Sequence, residues 1–425
     1  MCLCGYFWRT KIMPLSSISS FIAGRIAFNP QKSFSRFIVR LSIIATVISV
    51  TVMVLTLAFA SGFQATISNK VFSFFGHVRV QEYNALQSSI AEEIPIKRND
   101  SITSIGKYNS QIKTIQAYAS KNAILKTSET IEGVLFKGVD RNYDFSNIQP
   151  FLIAGRWIQF PDSSYSSEIN LSETMARQLK LKVGDQVLIF FIQSNGDAPR
   201  PRKLNVVGIF KTGMEEYDKI FALGDLRLIQ RLNNWTDDEV GGYEIFLKDY
   251  KSMDKVSEDI TSYLPIGTGS LTIREIFPSI FDWLALQDQT IFIVIIIMII
   301  IALLNLITCL LILVLERVRM VGLLKALGAQ TFTIQKIFLY QGAIITLTGL
   351  LFGNFLGLAI CWLQQKYGFI TLPEESYYIS KAAVNIVWWQ IGLVNLVTFL
   401  ICVLVLLLPT IIVKRVQPVK AIQFR

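Results

Sequence analysis

Residue types that usually carry out catalysis are sparse in this chain. Among 425 residues there is one histidine, His77, and no group of Cys and His with the spacing of a metal site. The G-x-x-x-x-G-K-[ST] loop that holds the phosphates of ATP in many nucleotide hydrolases does not occur. Neighbouring acids such as Glu92 and Glu93 are typical of a solvated loop. The sequence therefore predicts no metal site, no cofactor and no enzymatic activity in this chain itself.

The most informative charges lie in residues 316–336, ERVRMVGLLKALGAQTFTIQK, which follow and precede long apolar runs. Residues 290–315 and 337–363 contain no charged side chain, and each run exceeds the roughly 20 residues that cross a bilayer core. The 316–336 segment must then emerge at one membrane face. An amphipathic, basic segment at that position is a surface that a partner protein can bind.

Four apolar runs predict four transmembrane helices. Their predicted bounds are 41–63, 288–315, 337–363 and 386–413. Residues 64–287, between the first and second runs, are numerous enough for a folded domain and show both helical and strand patterns. The predicted fold is membrane α-helical, with four transmembrane helices and a large α+β periplasmic domain between the first and second. The third and fourth helices are joined by a shorter periplasmic loop, 364–385.

The placement of charge predicts the orientation. Residues 1–40, the 316–336 segment and the tail 414–425 together hold fourteen Lys and Arg and one acid, Glu316. Residues 64–287 hold 25 Lys and Arg against 27 Asp and Glu. Cationic loops stay on the cytoplasmic side, so both termini and the 316–336 segment are expected there, and the domain outside. The net charge of +10 is explained by this bias, and no nucleic-acid partner is expected. Met1 and Met13 are both compatible with the start of the chain.

Several motifs resemble those of a known family. Glu316-Arg317 followed by residues 321–329, VGLLKALGA, is similar to the signature of FtsX-like ABC permeases, as is the closing stretch 416–422. Further matches to the exported core of the lipoprotein-releasing (Lol-type) subfamily are residues 61–63, 75–78, 182–185, 206–210 and 213–218.

The resemblance implies a function and a set of partners. Such permeases work as dimers, with a second copy or a paralogue, and each binds a separate ABC ATPase subunit that holds ATP and Mg²⁺. The Lol-type branch is located in the bacterial inner membrane, takes lipoprotein cargo from it and hands the cargo to a periplasmic carrier. Two alternatives remain open: an exporter of another amphiphile, and a mechanotransmitter that uses ATPase strokes to activate an extracytoplasmic partner.

The resemblance also assigns the 316–336 segment as the coupling helix docked on the ATPase. The residues expected to carry this role are Glu316, Arg317, Arg319, Val321, Gly322, Leu324, Lys325, Leu327 and Gly328. An apolar stripe is predicted along Val318, Val321, Leu324, Leu327 and Phe332. The alternative is a basic helix that lies on anionic membrane lipids.

A short loop is the candidate for carrier docking. Residues 193–202 connect two predicted strands where the family's carrier-binding member has a longer hook, and they include Pro199, Arg200, Pro201 and Arg202. This loop is either a reduced docking hook or an ordinary hairpin tip.

Two sets of residues within the apolar runs are candidates for packing and transport. Gly349, Gly353 and Gly357 recur every four residues, a spacing that lets helices approach closely, within this chain or across a dimer. The predicted path for an acyl chain consists of Val47, Val50, Val54, Leu57, Ile295, Ile299 and Asn305. Asn305 would either line this path or pin two helices together.

Overall fold

The computed structural model of the chain describes residues 34–83, 94–99, 102, 104–106, 109–162, 164–193 and 197–406. The predicted basic N-terminal segment up to residue 33, the predicted tail 414–425 and the end of the fourth predicted span lie outside the described residues. The chain divides into two compact units. The helical unit comprises the chain up to Phe63, Leu286–Phe369 and the chain from Ala383, and the sheet domain comprises Gln64–Ala285 and Ile370–Ala382.

The described residues form α-helices in both units. They are α1 (Phe34–Phe75), α2 (Glu173–Gln178), α3 (Glu215–Asp218), α4 (Leu226–Asn233), α5 (Met253–Thr261), α6 (Ile273–Ile276), α7 (Pro278–Glu316), α8 (Val318–Ala326), α9 (Thr331–Tyr367), α10 (Glu374–Tyr377) and α11 (Trp388–Val405). Four of them, α1, α7, α9 and α11, are long and apolar enough to cross a membrane.

Two of the long helices exceed the predicted spans by several turns. The 42 residues of α1 and the 39 residues of α7 give lengths of about 63 and 58 Å at 1.5 Å per residue, roughly twice the 30 Å of a bilayer core. Both helices continue without a break from the helical unit into the sheet domain. The apolar runs therefore predicted the presence of these helices well, but not where they end.

The sheet domain is built on a ten-stranded mixed sheet. The strands are β1 (Val78–Glu82), β2 (Ile96–Lys97), β3 (Ile112–Lys126), β4 (Ile131–Val139), β5 (Leu152–Gly155), β6 (Glu168–Ser172), β7 (Gln186–Phe191), β8 (Arg200–Phe210), β9 (Phe221–Asp225), β10 (Glu239–Val240), β11 (Gly242–Leu247) and β12 (Thr268–Thr272). The order is β12-β1-β11-β3-β4-β9-β6-β8-β5, β7 pairs with β3 and β8, and β2 and β10 form a separate pair.

The domain has one large apolar core, to which most strands and the C-terminal end of α1 contribute. Strand β11 is buried along its whole length, as expected for a strand covered on both faces. Ser172 caps α2 by accepting a hydrogen bond from the Met175 amide at 3.1 Å. The predicted loop 364–385 includes Ile370–Ala382, which groups with the sheet domain.

The 316–336 segment differs from the single helix that the sequence predicts. Helix α7 ends at Glu316, α8 covers only Val318–Ala326, and α9 begins at Thr331. The break after α8 is at Gly328, whose φ of +85° lies in the left-handed region that glycine adopts without strain. Gly328 therefore ends the helix instead of belonging to it.

The candidate docking loop is also shorter than predicted. Arg200, Pro201 and Arg202 pair with β7, opposite Phe191, Phe190 and Ile189 respectively. Proline is tolerated here because β8 has a neighbour on one side only; its pairing with β6 begins further along, at residue 205. Of the four candidate residues only Pro199 precedes the strand, and residues 194–196 lie outside the described part of the chain.

Candidate functional site

The 316–336 segment presents a mixed apolar and charged surface. Leu323, Leu327 and Phe332 are exposed by 57, 76 and 63%. Glu316, at the end of α7, and Arg319, in α8, are exposed as well. We name these five residues the outward face. Large exposed apolar side chains flanked by charges are typical of a surface that binds a protein.

The other half of the segment is used for internal packing. Val321 is fully buried in a cluster with Val314, Ile334 and Phe338, which joins α8 to the ends of α7 and α9. Gly322 is buried, and Leu324 packs against the edge of the cluster. The predicted stripe is therefore divided: Val321 faces inward, whereas Leu327 and Phe332 face outward. Leu323, which the sequence reasoning did not assign to the site, lies on the outward face.

The glycine repeat of α9 faces α1 of the same chain. A Cβ on Gly349 would lie 2.5 Å from Thr46 Cγ2, and one on Gly353 would lie 2.6 Å from Val50 Cβ. Farther along, a Cβ on Gly357 would lie 2.9 Å from Val54 Cβ. Any side chain at these positions would separate the two helices.

This packing determines the surroundings of the predicted path residues. Val50 and Val54 are buried against α9, while Val47, Leu57, Ile295 and Ile299 are half-buried. The exposed apolar side chains of α1 and α7 include instead Phe37, Leu41, Ile44, Ile48, Phe292, Ile293, Ile296, Ile297, Ile300, Ile301 and Leu304. Periodicity predicts that such a face exists, but which residues it contains depends on where the neighbouring helices lie.

Amide side chains connect the helices within the apolar region. Asn305 on α7 accepts a hydrogen bond from Ser42 Oγ at 3.2 Å and donates one to the Ser42 carbonyl at 3.1 Å. Asn354 on α9 and Asn395 on α11 exchange two hydrogen bonds of 2.9 Å. Each bond satisfies a polar group that would otherwise be costly in an apolar environment.

The sheet domain contains a buried group of charges. Glu244 is fully buried, and both of its carboxylate oxygens lie 2.7 Å from Lys137 Nζ, while Oε1 lies 3.1 Å from Arg79 Nη2. The Arg79 guanidinium lies 5.0 Å from the ring centroids of both Phe75 and Tyr118. We interpret this group as structural, because the buried carboxylate contacts both cations within the core of the sheet domain.

His77 has a structural environment as well. Its Nδ1 accepts a hydrogen bond from the Leu247 amide at 3.1 Å, and its ring stacks on Phe72. Burial lowers the pKa of His77 to about 4, and the positive charge of Lys113 acts in the same direction. The imidazole is thus held neutral, with its proton on Nε2. Among the described residues, no group of three or more His, Cys, Asp and Glu side chains is placed to hold a metal ion.

Comparisons with known proteins agree with this division of the chain. The family model for the MacB-like periplasmic core domain matches residues 40–263, and that for the FtsX-like permease C-terminal region matches residues 292–418. A lipoprotein-releasing system transmembrane protein LolC from Xylella fastidiosa is 22% identical over 93% of this chain and 95% of its own length. A LolE protein of the same system from Haemophilus influenzae is 21% identical, over 95% of this chain and 98% of its own length.

A solved structure also matches: the periplasmic region of MacB from Actinobacillus actinomycetemcomitans, at 13% identity and a TM-score of 0.33, over 48% of this chain and 91% of that one. The first family match ends at residue 263, in the sheet domain, and the second begins at residue 292, in the helical unit. The chain therefore belongs to the family of FtsX-like permeases that carry a MacB-like periplasmic core domain.

Proposed function

We propose that this chain is the permease subunit of an ABC transporter that extracts lipoproteins from the bacterial inner membrane for release toward the outer membrane. The energy comes from a separate ABC ATPase subunit, which binds ATP and Mg²⁺. A second copy of the permease or a paralogue completes the complex. The similarity to LolC and LolE proteins over nearly the whole chain supports this cargo and this set of partners.

The observation that carries the proposal is the outward face of the 316–336 segment. It lies between two helices that can cross a membrane, and it combines exposed Leu323, Leu327 and Phe332 with exposed charges. An ATPase docked there would act on α7 and α9 together, because the buried Val321 cluster joins both to α8. Both termini and this segment are then cytoplasmic, and the sheet domain is periplasmic.

Leu327→Asp tests the docking directly. Burying an aspartate in the interface would weaken ATPase binding roughly thirtyfold, the effect of losing a hot spot of about 2 kcal/mol. The matched control is Ile266→Asp, since Ile266 is fully exposed in the sheet domain. The ATPase retained by each purified variant is measured in nanodiscs, and thermal unfolding checks that both variants are folded. Equal retention by the two variants would refute docking at this face. Loss of binding to anionic vesicles without loss of the ATPase would favour the lipid-surface alternative.

The cargo path is proposed along the predicted residues Val47, Val50, Val54, Leu57, Ile295, Ile299 and Asn305, extended to the neighbouring exposed face of α1 and α7. A photo-reactive amino acid at Ile301, on the exposed face, should attach to acylated cargo. At Val50, which is 2% exposed, the same probe should attach mainly to α9. A mechanotransmitter, favoured by the unbroken course of α1 and α7 into the sheet domain, predicts no cargo adduct at Ile301 while ATP is hydrolysed.

The β7–β8 tip is retained as a proposed carrier contact, with Pro199, Arg200, Pro201 and Arg202 as its candidates. Arg200 donates a hydrogen bond to the Leu232 carbonyl at 2.8 Å and so has a structural use in addition. Arg202→Glu is the cleaner test, because its guanidinium bonds only to the adjacent Pro201 carbonyl among the contacts described. Reduced cargo transfer to the carrier, with release from the membrane unchanged, would support the contact.

A further inference from the structure

The short connection between α9 and α11 is a closed structure of its own. In residues Ile370–Ala382, which we name the strap, Thr371 pairs with Lys381, and the Ala382 amide donates to the Ile370 carbonyl at 3.0 Å. The strap contains α10 and turns at Tyr378, whose φ is +59°. Its two ends continue into helices of the helical unit, yet the strap itself packs in the sheet domain.

The strap docks on the turn that follows β8. Lys211 Nζ lies 2.9 Å from Glu374 Oε2 on the strap and 3.4 Å from Glu173 Oε2 on α2. The hydrogen bond to Glu374 raises the pKa of Lys211. This turn overlaps residues 213–218, which resemble a motif of the Lol-type subfamily. The resemblance alone gives these residues no role.

Two features of the same turn require glycine at position 213: the backbone conformation and the close approach of neighbouring side chains. Its φ is +73°, and a Cβ there would lie 2.5 Å from Glu374 Oε1 and 2.7 Å from Lys70 Nζ. Asp218 fixes the turn by accepting hydrogen bonds from the Thr212 and Gly213 amides, both at 3.1 Å. The strap can approach this closely only because position 213 has no side chain.

The outer ends of α1 and α7 meet the strap as well. Lys70 on α1 donates a hydrogen bond to the Tyr378 carbonyl at 2.6 Å. The Tyr378 ring meets Trp283 on α7 edge to face, with centroids 6.1 Å apart. Ile379 is buried at 4% exposure. All four long helices are therefore connected at the strap, α9 and α11 through the chain and α1 and α7 through side chains.

We propose that the strap is a permanent mechanical link, positioned by Lys70 and Gly213, that passes movement of α9 and α11 to the sheet domain. This rests on the proposed function, because an ATPase at the 316–336 segment would move the opposite end of α9. A permanent link is inferred and not a releasable latch, since release would expose Ile379 and leave Lys70 without its carbonyl acceptor. The half-exposed Lys211–Glu374 pair alone contributes little and would not hold the strap.

Gly213→Ala is the decisive variant, and Gly184→Ala is its matched control. Both glycines have positive φ, but nothing lies within 4 Å of a Cβ at Gly184. Hydrogen–deuterium exchange of the strap, in the whole chain with its ATPase in nanodiscs, reports docking. Exchange should rise in Gly213→Ala only. Cargo release per ATP hydrolysed should fall about tenfold, within the range of measured couplings between sites, while the complex still assembles.

Cross-linking decides between a permanent and a releasable strap. In the double variant Lys211→Cys, Glu374→Cys, a bifunctional thiol reagent joins the two cysteines and so holds the strap on the turn after β8. Cys2 and Cys4 are replaced by serine in this variant. Release should stay within twofold of the uncross-linked double variant. Loss of lipoprotein release on cross-linking would overturn the proposal. Two results with Gly213→Ala would also overturn it: normal release although hydrogen exchange of the strap has risen, or no change in that exchange. An unaltered chain that binds no ATPase or releases no lipoprotein would instead refute the proposed function.

Discussion

At the scale of single residues, burial lowers the pKa of the His77 imidazole. Its Nδ1 accepts the Leu247 amide, and protonation of that nitrogen would break the bond inside an apolar site. The pKa of about 4 in the folded chain is below the ordinary 6.5. Above pH 6.5 the imidazole is neutral in both folded and unfolded chains. As the pH falls from 6.5 to 4, only the unfolded chain gains the proton, so stability is lost.

The His77 prediction is a pKa near 4 and an acid-dependent loss of about 3 kcal/mol in unfolding free energy. Because the chain has one histidine, a labelled imidazole gives a single titrating NMR signal. His77→Asn can keep an acceptor for the Leu247 amide without titrating, so its unfolding midpoint should depend less on pH. A measured pKa near 6.5 would contradict the buried environment.

Glu244 carries a second prediction at this scale. Glu244→Gln removes the buried carboxylate charge that Lys137 and Arg79 both contact, so we expect the unfolding free energy to fall by about 3 kcal/mol or more. Asp162→Asn is the control, since its ion pair with Arg141 is exposed and should contribute less than about 1 kcal/mol. Thermal unfolding and hydrogen exchange of β11 measure the difference. Equal effects of the two substitutions would show that the buried group adds no stability.

None of these three charges could be grouped from the sequence. Arg79, Lys137 and Glu244 lie on β1, β4 and β11, and only the strand order of the sheet brings them together. Each one alone appears as an ordinary charged residue in an alternating strand. The role of Gly213 could not be predicted from the sequence either, because it depends on a contact with Glu374, more than 150 positions away.

At the scale of elements, α1 and α9 approach closely because α9 has glycines, which lack side chains, along the contact. Gly353→Ala places a Cβ against Val50 Cβ and the Val47 carbonyl, so the helices must move apart. We expect a loss of about 1–3 kcal/mol, the usual cost of overpacking. The thermal midpoint of the purified chain should fall by several degrees.

Gly392→Ala on α11 is the matched control, because nothing lies within 4 Å of a Cβ there. Alanine favours helix over glycine by about 1 kcal/mol, so this variant should be neutral or slightly stabilising in a helix. Opposite shifts of the two variants would establish the close approach of α1 and α9. Equal shifts would mean that the packing in solution is looser.

The elements themselves were predictable to different degrees. Apolar runs identified all four long helices, whereas the loop predicted at 193–202 between two strands is shortened because β8 already begins at Arg200. The break of the 316–336 segment at Gly328 was missed, because a helical pattern continues across it and only the backbone φ reveals the turn. The docking of the strap was missed since its partners are on α1, α7 and the turn after β8.

At the scale of the whole molecule, the two units share continuous helices. Helices α1 and α7 belong to the helical unit at one end and to the sheet domain at the other, and the strap returns from α9 to the domain. A movement applied at the 316–336 segment thus has covalent routes to the sheet domain. The family assignment and this connectivity together support a permease that an external ATPase drives.

The central claim is tested most directly by purifying the whole chain from its own membrane in nanodiscs and identifying everything retained by mass spectrometry. We predict an ABC ATPase, a second permease subunit and acylated lipoproteins that leave when ATP is added. An ATPase retained with an extracytoplasmic enzyme, and no acylated polypeptide before or after ATP, would contradict lipoprotein release.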